Sequence, residues 1–239
     1  YNAVLAHQPN HPIAKKALRK LQKGLPQNQS AQAETTQPSQ DQIAALVNLY
    51  QSGQMIKAEQ ACRELLQTYP QSLIAINVLG LALQGQGKLQ EAVQAYDKAI
   101  QLKPDFAEAY SNRGNALTEL GRLDEAVQNY DKAIQLKPDS AEAHFNQGVA
   151  LQELGRLQLA MMSYQKAVSI DPHNGLFWAG YASSLQGVKF ESYNDELGHY
   201  LLQALDQPTV RPVNVSAAVL KALHYHPVIS RALSKSDHF

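Results

Sequence analysis

The side chains best suited to chemistry are few in this sequence and far apart. Cys62 is the single cysteine, so no intrachain disulfide and no multi-thiolate metal site can form. It lies in a periodic helical segment, where a buried, inert thiol is expected rather than a nucleophile. None of the 8 histidines forms a His-Glu-x-x-His motif, and no Cys/His spacing suggests zinc. His224 and His226 flank Tyr225, which places them on different faces of a helix. Asp195 and Glu196 near His199 offer an acid and a base, but no nucleophile accompanies them. Gly85-Gln86-Gly87 resembles a nucleotide loop, yet it lies between helical segments without the preceding strand. Trp178 and the recurring tyrosines fit packing between helices better than a cofactor box. No catalytic, cofactor-binding or metal-binding residue is therefore assigned, and this stretch of chain is not expected to be an enzyme by itself.

Composition narrows the function classes further. The 44 % hydrophobic content supports a folded core in 239 residues. Lys plus Arg is 21 and Asp plus Glu is 21, so the basic surplus that recruits nucleic acid is missing. Only 18 % of residues are charged, with Gln and Asn supplying much of the polarity, which favours recognition by hydrogen bonds over long-range steering. No run approaches the roughly 20 apolar residues of a membrane span. The start also lacks a secretory h-region. The sequons at Asn28 and Asn214 then read as chance matches in a reducing, cytoplasmic setting. The chain opens on Tyr1, as if inside a longer protein.

The elements that organise these residues repeat. Pro70, Pro104, Pro138 and Pro172 recur every 34 residues. Ten residues from Tyr96, YDKAIQLKPD, return unchanged from Tyr130, and YQKAVSIDPH from Tyr164 is a looser copy. Gly80, Gly114 and Gly148 keep the same spacing, as do Gly87, Gly121 and Gly155, and Ala92, Ala126 and Ala160. Each copy reads as two helices. Leu79, Leu83, Leu117 and Leu151 lie on the apolar face of the first. The second glycine suits a left-handed helix terminus. Leu89, Leu123 and Leu157 open the second helix, whose Ala and Tyr share one face. The small residue at 80, 114 or 148 lets the paired helices approach, and the tyrosine is expected to fill the space to the next unit. Neither helix buries its stripe alone, so neighbouring pairs must stack.

This G…A…Y…A…P pattern resembles the tetratricopeptide repeat family, most strongly over 73–172. The resemblance implies an all-α, right-handed superhelical solenoid of helix pairs. Residues 39–72 form a divergent copy in which Gly53, Ala58 and Pro70 fit, while Leu46 replaces glycine and Cys62 the aromatic. Residues 175–187 resemble one further first helix, with Trp178, Ala182 and Leu185 in place. The array thus spans 41–187. In such stacks the first helices line the inner surface. The expected groove residues are Asn77 and Leu81, then Ser111, Asn112, Asn115, Thr118 and Glu119. The next repeat adds Phe145, Asn146, Val149, Gln152 and Glu153. SNRGNAL at 111–117 is similar to repeats of the O-linked N-acetylglucosamine transferase family, whose asparagines hold substrate backbone. That resemblance carries to Asn112 and Asn146, with Val78 one repeat earlier. The competing bland reading is that both asparagines only bridge repeats or satisfy helix ends. Asn77, Ser111 and Phe145 occupy the lysine place of chaperone-type carboxylate clamps, which argues against capture of an acidic C-terminal tail.

The ends differ from the middle. Tyr1, Val4 and Pro9 have the spacing of a repeat's end, with a partial repeat or helix through 23. Residues 24–40 read as a polar linker. The basic cluster from Lys15 to Lys23 is expected to be a solvated face. Beyond Gly187, residues 188–239 suggest a helical cap or connector, with helices at 192–206, 215–224 and 227–233. Their apolar pattern resembles the connector that joins repeats to sulfo-, methyl- or glycosyltransferase domains in large bacterial proteins. Three roles follow: an interaction module holding a polypeptide or protein partner in its groove, the recognition region of a larger transferase with its catalytic domain in cis, or a self-associating scaffold. No nucleic acid, membrane, metal or cofactor is expected among the partners.

Overall fold

The computed structural model describes residues 37–185 and 195–210. The expected N-terminal helix, the linker through 36, the helices at 215–224 and 227–233 and the histidines at 224 and 226 lie outside that range. Among the described residues every regular element is an α-helix. The chain divides into two compact units, up to Pro138 and from Asp139.

The first unit holds α1 (Gln40–Gln51), α2 (Met55–Thr68), α3 (Leu73–Gly85), α4 (Leu89–Leu102), α5 (Ala107–Glu119) and α6 (Leu123–Leu136). Consecutive helices pack on one another, and each first helix also touches the next first helix, α1 on α3 and α3 on α5. The second unit holds α7 (Ala141–Glu153), α8 (Leu157–Ile170), α9 (Gly175–Ser184) and α10 (Asp195–Leu205). Here α7 packs on α8, and α9 touches both. The fold is an all-α stack of paired helices.

One turn serves the four pairs whose connection is described. Gly53, Gly87, Gly121 and Gly155 all take φ between 73° and 76°, the left-handed region where a side chain is penalised. In the third pair the Gly121 amide donates to Thr118 O at 2.9 Å and the Arg122 amide to Leu117 O at 2.9 Å. These are the two bonds of a Schellman ending, which satisfies carbonyls the helix would leave bare. Arg122 is also the N-cap of α6, so the last bond of one helix abuts the first turn of the next. The first helices start differently. Ser39, Ser72 and Ser140 cap α1, α3 and α7 with side-chain oxygens. Phe106 stands at the same place before α5 and makes no cap. Its ring is buried against Ile76, Ala99 and Ala109 instead, so packing replaces the lost hydrogen bond.

The glycine–tyrosine ladder is the core of the three regular pairs. Tyr96 and Tyr130 are buried in the first unit and Tyr164 in the second. A Cβ built on Gly114 would lie 2.7 Å from the Tyr130 ring, and one on Gly148 would lie 2.8 Å from Tyr164. Each ring therefore lies on the glycine of its own pair, and the Tyr164 ring also fills the space to the next helix, where a Cβ built on Gly180 would lie 2.8 Å from it. In the divergent pair both volumes are exchanged. Leu46 replaces the glycine, Cys62 replaces the tyrosine, and both are buried. Burial and the nearby Glu59 charge push the Cys62 thiol up to about 12, which keeps it protonated and unreactive.

In the second unit the repeat pattern gives way to aromatics. Trp178 and Tyr181 of α9 are buried, and Tyr200 of α10 lies 6.3 Å and 6.0 Å from their ring centres. The expected helix at 192–206 is observed from Asp195 to Leu205, and its Tyr200 ring lies beside those of α9.

Candidate partner-binding surface

On α5, Glu108, Ser111, Asn112, Asn115 and Glu119 fall at helical spacing on one stripe, and each is at least partly exposed. The same register on α3 carries Ile74, Asn77, Val78, Leu81 and Gly85. There Ile74 and Leu81 are partly exposed, while Asn77 and Val78 are buried. Two hydrogen bonds join the stripes. Asn112 Nδ2 donates to Asn77 Oδ1 at 3.0 Å, and Gln84 Nε2 donates to Glu119 Oε1 at 2.6 Å. The Tyr96 hydroxyl donates to Gln84 Oε1 at 3.2 Å, so Gln84 links the core tyrosine to the wall. Glu119 is exposed as a residue, but the protein crowding its carboxylate raises its pKa, and the Gln84 amide opposes that rise.

Several predicted groove residues are committed inward. Asn77 is 1 % exposed, and Thr118 is also buried. Thr118 Oγ1 donates to Gly114 O at 2.9 Å, beside the Tyr130 hydroxyl. That hydroxyl donates to Asn115 Oδ1 at 2.8 Å, which occupies the oxygen of a residue still partly open to solvent. Asn112 does bridge repeats, as the bland reading holds. That bond uses one N–H of its amide, and the group carries a second N–H and an acceptor oxygen.

In the second unit Phe145 is buried, its ring 5.4 Å from Tyr164 and 5.1 Å from Phe177. Asn146 and Val149 are partly exposed, and Glu153 is exposed. Gln152 is partly exposed, yet its Oε1 is shut off from solvent without a hydrogen-bond partner. Of the predicted groove residues, Asn77, Thr118 and Phe145 are therefore corrected to core positions. Asn77 and Phe145 share one register position, which turns toward the packed interior in both repeats, whereas Ser111 between them stays partly open.

Sequence reasoning overlooked Ile74, Gln84 and Glu108. Counting back in threes and fours from Asn112 would have found Glu108, and one period earlier Ile74. Arg113 leaves the stripe. Its guanidinium reaches Asp97 of α4, donates to Asn129 Oδ1 of α6 at 2.8 Å and lies over the Tyr110 ring. It binds second helices to each other and adds no charge to the wall. Among the described residues no group of His, Cys, Asp and Glu could hold a metal ion. No described helix is long and apolar enough to cross a membrane.

Family profiles match the same stretch. One, described as TPR repeat, matches residues 80–119 and 114–155, and another, described as Tetratricopeptide repeat, matches 141–174. Residues 80–174 belong to the tetratricopeptide repeat family. No curated protein matches the sequence. Solved structures show the same fold at low identity. MamA is 23 % identical with a TM-score of 0.59, over 68 % of this chain and 93 % of that one. PilF of Pseudomonas aeruginosa is 18 % identical with a TM-score of 0.62, over 82 % of this chain and 85 % of that one. A MamA fragment from Desulfovibrio magneticus is 17 % identical with a TM-score of 0.57, over 80 % and 96 %. Tetratricopeptide arrays as a class present extended inner surfaces to polypeptide partners.

Proposed function

We propose that this tetratricopeptide array is a protein-interaction module whose first-helix wall holds an extended stretch of a partner polypeptide. The observation that carries the reading is the α5 stripe, where Ser111, Asn112 and Asn115 lie partly open between two carboxylates. Amide side chains offer a donor and an acceptor together, which matches the two halves of a peptide unit. Asn112 is held in place by Asn77, so less side-chain freedom is lost when a ligand arrives. The likeness of SNRGNAL at 111–117 to O-linked N-acetylglucosamine transferase repeats supports the same use of Asn112 and Asn146.

Peptides selected from a random library on the full chain supply the ligand for a test. Replacing Asn112 by alanine is expected to weaken peptides held by α5 about tenfold, the scale of one lost hydrogen bond, and replacing Asn146 is a separate test of the second unit. Because Asn112→Ala also strips Asn77 of its partner, Ser111→Arg provides a second blockade that leaves that bond alone. Unchanged affinity in both variants would remove the wall from the binding site.

A further inference from the structure

The proteins that bind this wall must match its charge, and that charge is unevenly divided between the two sets of helices. Among the described residues, every lysine and arginine except Arg113 lies on a second helix or in a turn. Arg113 is drawn away to Asp97 and Asn129. Acidic residues occur on both sets, with Glu108 and Glu119 on α5. Lys137 lies 3.8 Å from Glu108 and matches its charge. Glu119 receives a neutral amide from Gln84, and among the described residues no cation is paired with its carboxylate. A chain with no formal net charge therefore carries a local surplus of negative charge where α5 faces outward.

The neighbouring stripe is of a different kind. Helix α3 has no charged residue, and its outward positions are Ile74 and Leu81, each partly exposed. Packed helices lie about 8–10 Å apart. A strand advances about 3.3 Å per residue, so a peptide crossing from α3 to α5 travels about three residues.

We propose that the α3–α5 wall selects an extended segment that sets one apolar side chain on Leu81 and, about three residues away, a lysine or arginine against Glu119. The inference rests on the groove reading above and adds the partner's chemistry to it. An acidic segment would meet uncompensated repulsion at Glu119, and the one cation on α5, Arg113, is turned away to Asp97 and Asn129. A basic one regains for the carboxylate the solvation that crowding has taken away.

The test compares short labelled peptides, acetylated and amidated so that their termini carry no charge. Their cores are apolar-x-x-Arg, apolar-x-x-Glu and Ser-x-x-Arg, and each is titrated against the full chain by fluorescence anisotropy. The apolar-x-x-Arg peptide is expected to bind about fivefold tighter than its Glu counterpart at low salt, the upper range for one partly exposed ion pair. Replacing the apolar residue by serine should also weaken binding. Glu119→Gln keeps the bond to Gln84 available, and it should close the gap between the Arg and Glu peptides without changing the melting temperature. Equal binding of the Glu peptide, or an Arg preference that persists in Glu119→Gln, would overturn the charge inference and leave the groove reading standing. If no peptide binds, or if Ser111→Arg leaves binding unaltered, the groove reading fails and this inference with it.

Discussion

Glu59 gathers three donors around one carboxylate. Arg63 Nε, Lys88 Nζ and Gln86 Nε2 approach it at 2.9, 2.8 and 2.8 Å, and its side chain is 13 % exposed. The Lys88 bond is the chief cause, with those from Gln86 and Arg63 adding to it, and together they overcome the burial that opposes them. Its pKa falls from 4.5 to about 2. A carboxyl held below its unfolded value stabilises the fold above the unfolded pKa and loses that contribution as pH falls. The Glu59 cluster should thus act fully above about pH 4.5 and fade toward pH 2. Glu59→Gln should lower stability at neutral pH by about 1–2 kcal/mol, the scale of charge-assisted hydrogen bonds. It should also flatten the acid limb of a plot of melting temperature against pH. An acid limb of unchanged slope would show that other carboxylates govern the loss. Cys62 lies one helical turn along from Glu59 and was legible from the sequence as an inert thiol, because a lone cysteine in a periodic helix has a packing position to fill. The three-donor cluster was not legible, since it joins α2 to the turn before α4 through side chains far apart in sequence.

At the scale of the helix, the 34-residue period was enough to place every turn glycine and the order of the pairs. It could not separate residues that face out from those turned half a step inward, because one register position serves both kinds. Position 77, 111 and 145 carries Asn, Ser and Phe, of which the first and last are buried. Side-chain size and the partner helix decide between the two outcomes, and neither is periodic. Helix α8 shows the same freedom on its solvent side. Where α6 carries Glu125 and Gln128, α8 carries Leu159 and Met162, which are 51 % and 61 % exposed. The double variant Leu159→Glu, Met162→Gln restores the surface of α6 on α8. It should change stability by no more than about 0.5 kcal/mol, as exposed substitutions usually do, and should reduce binding of an apolar dye. A larger loss measured by chemical denaturation would mean that these side chains pack against something.

At the scale of the molecule, the contacts that close a pair and those that join pairs are of different kinds in the first unit. Tyr96 rests on Gly80 and Tyr130 on Gly114, each sixteen positions apart within one 34-residue segment. The ties from Asn77 to Asn112 and from Gln84 to Glu119 run between segments and depend on particular residues. A copy of residues 73–106 inserted after Phe106 would bring its own glycine and its own ring. It should add a further helix pair without disturbing the others, and circular dichroism should show helicity rising in proportion to the added length. An unchanged or diminished signal would mean that closure draws on the neighbours after all. Because each segment is self-sufficient in this respect, the length of such an array can change by gene duplication or loss in whole steps. Lineages can then lengthen or shorten the receptor surface while the hinge chemistry of every segment stays as it was.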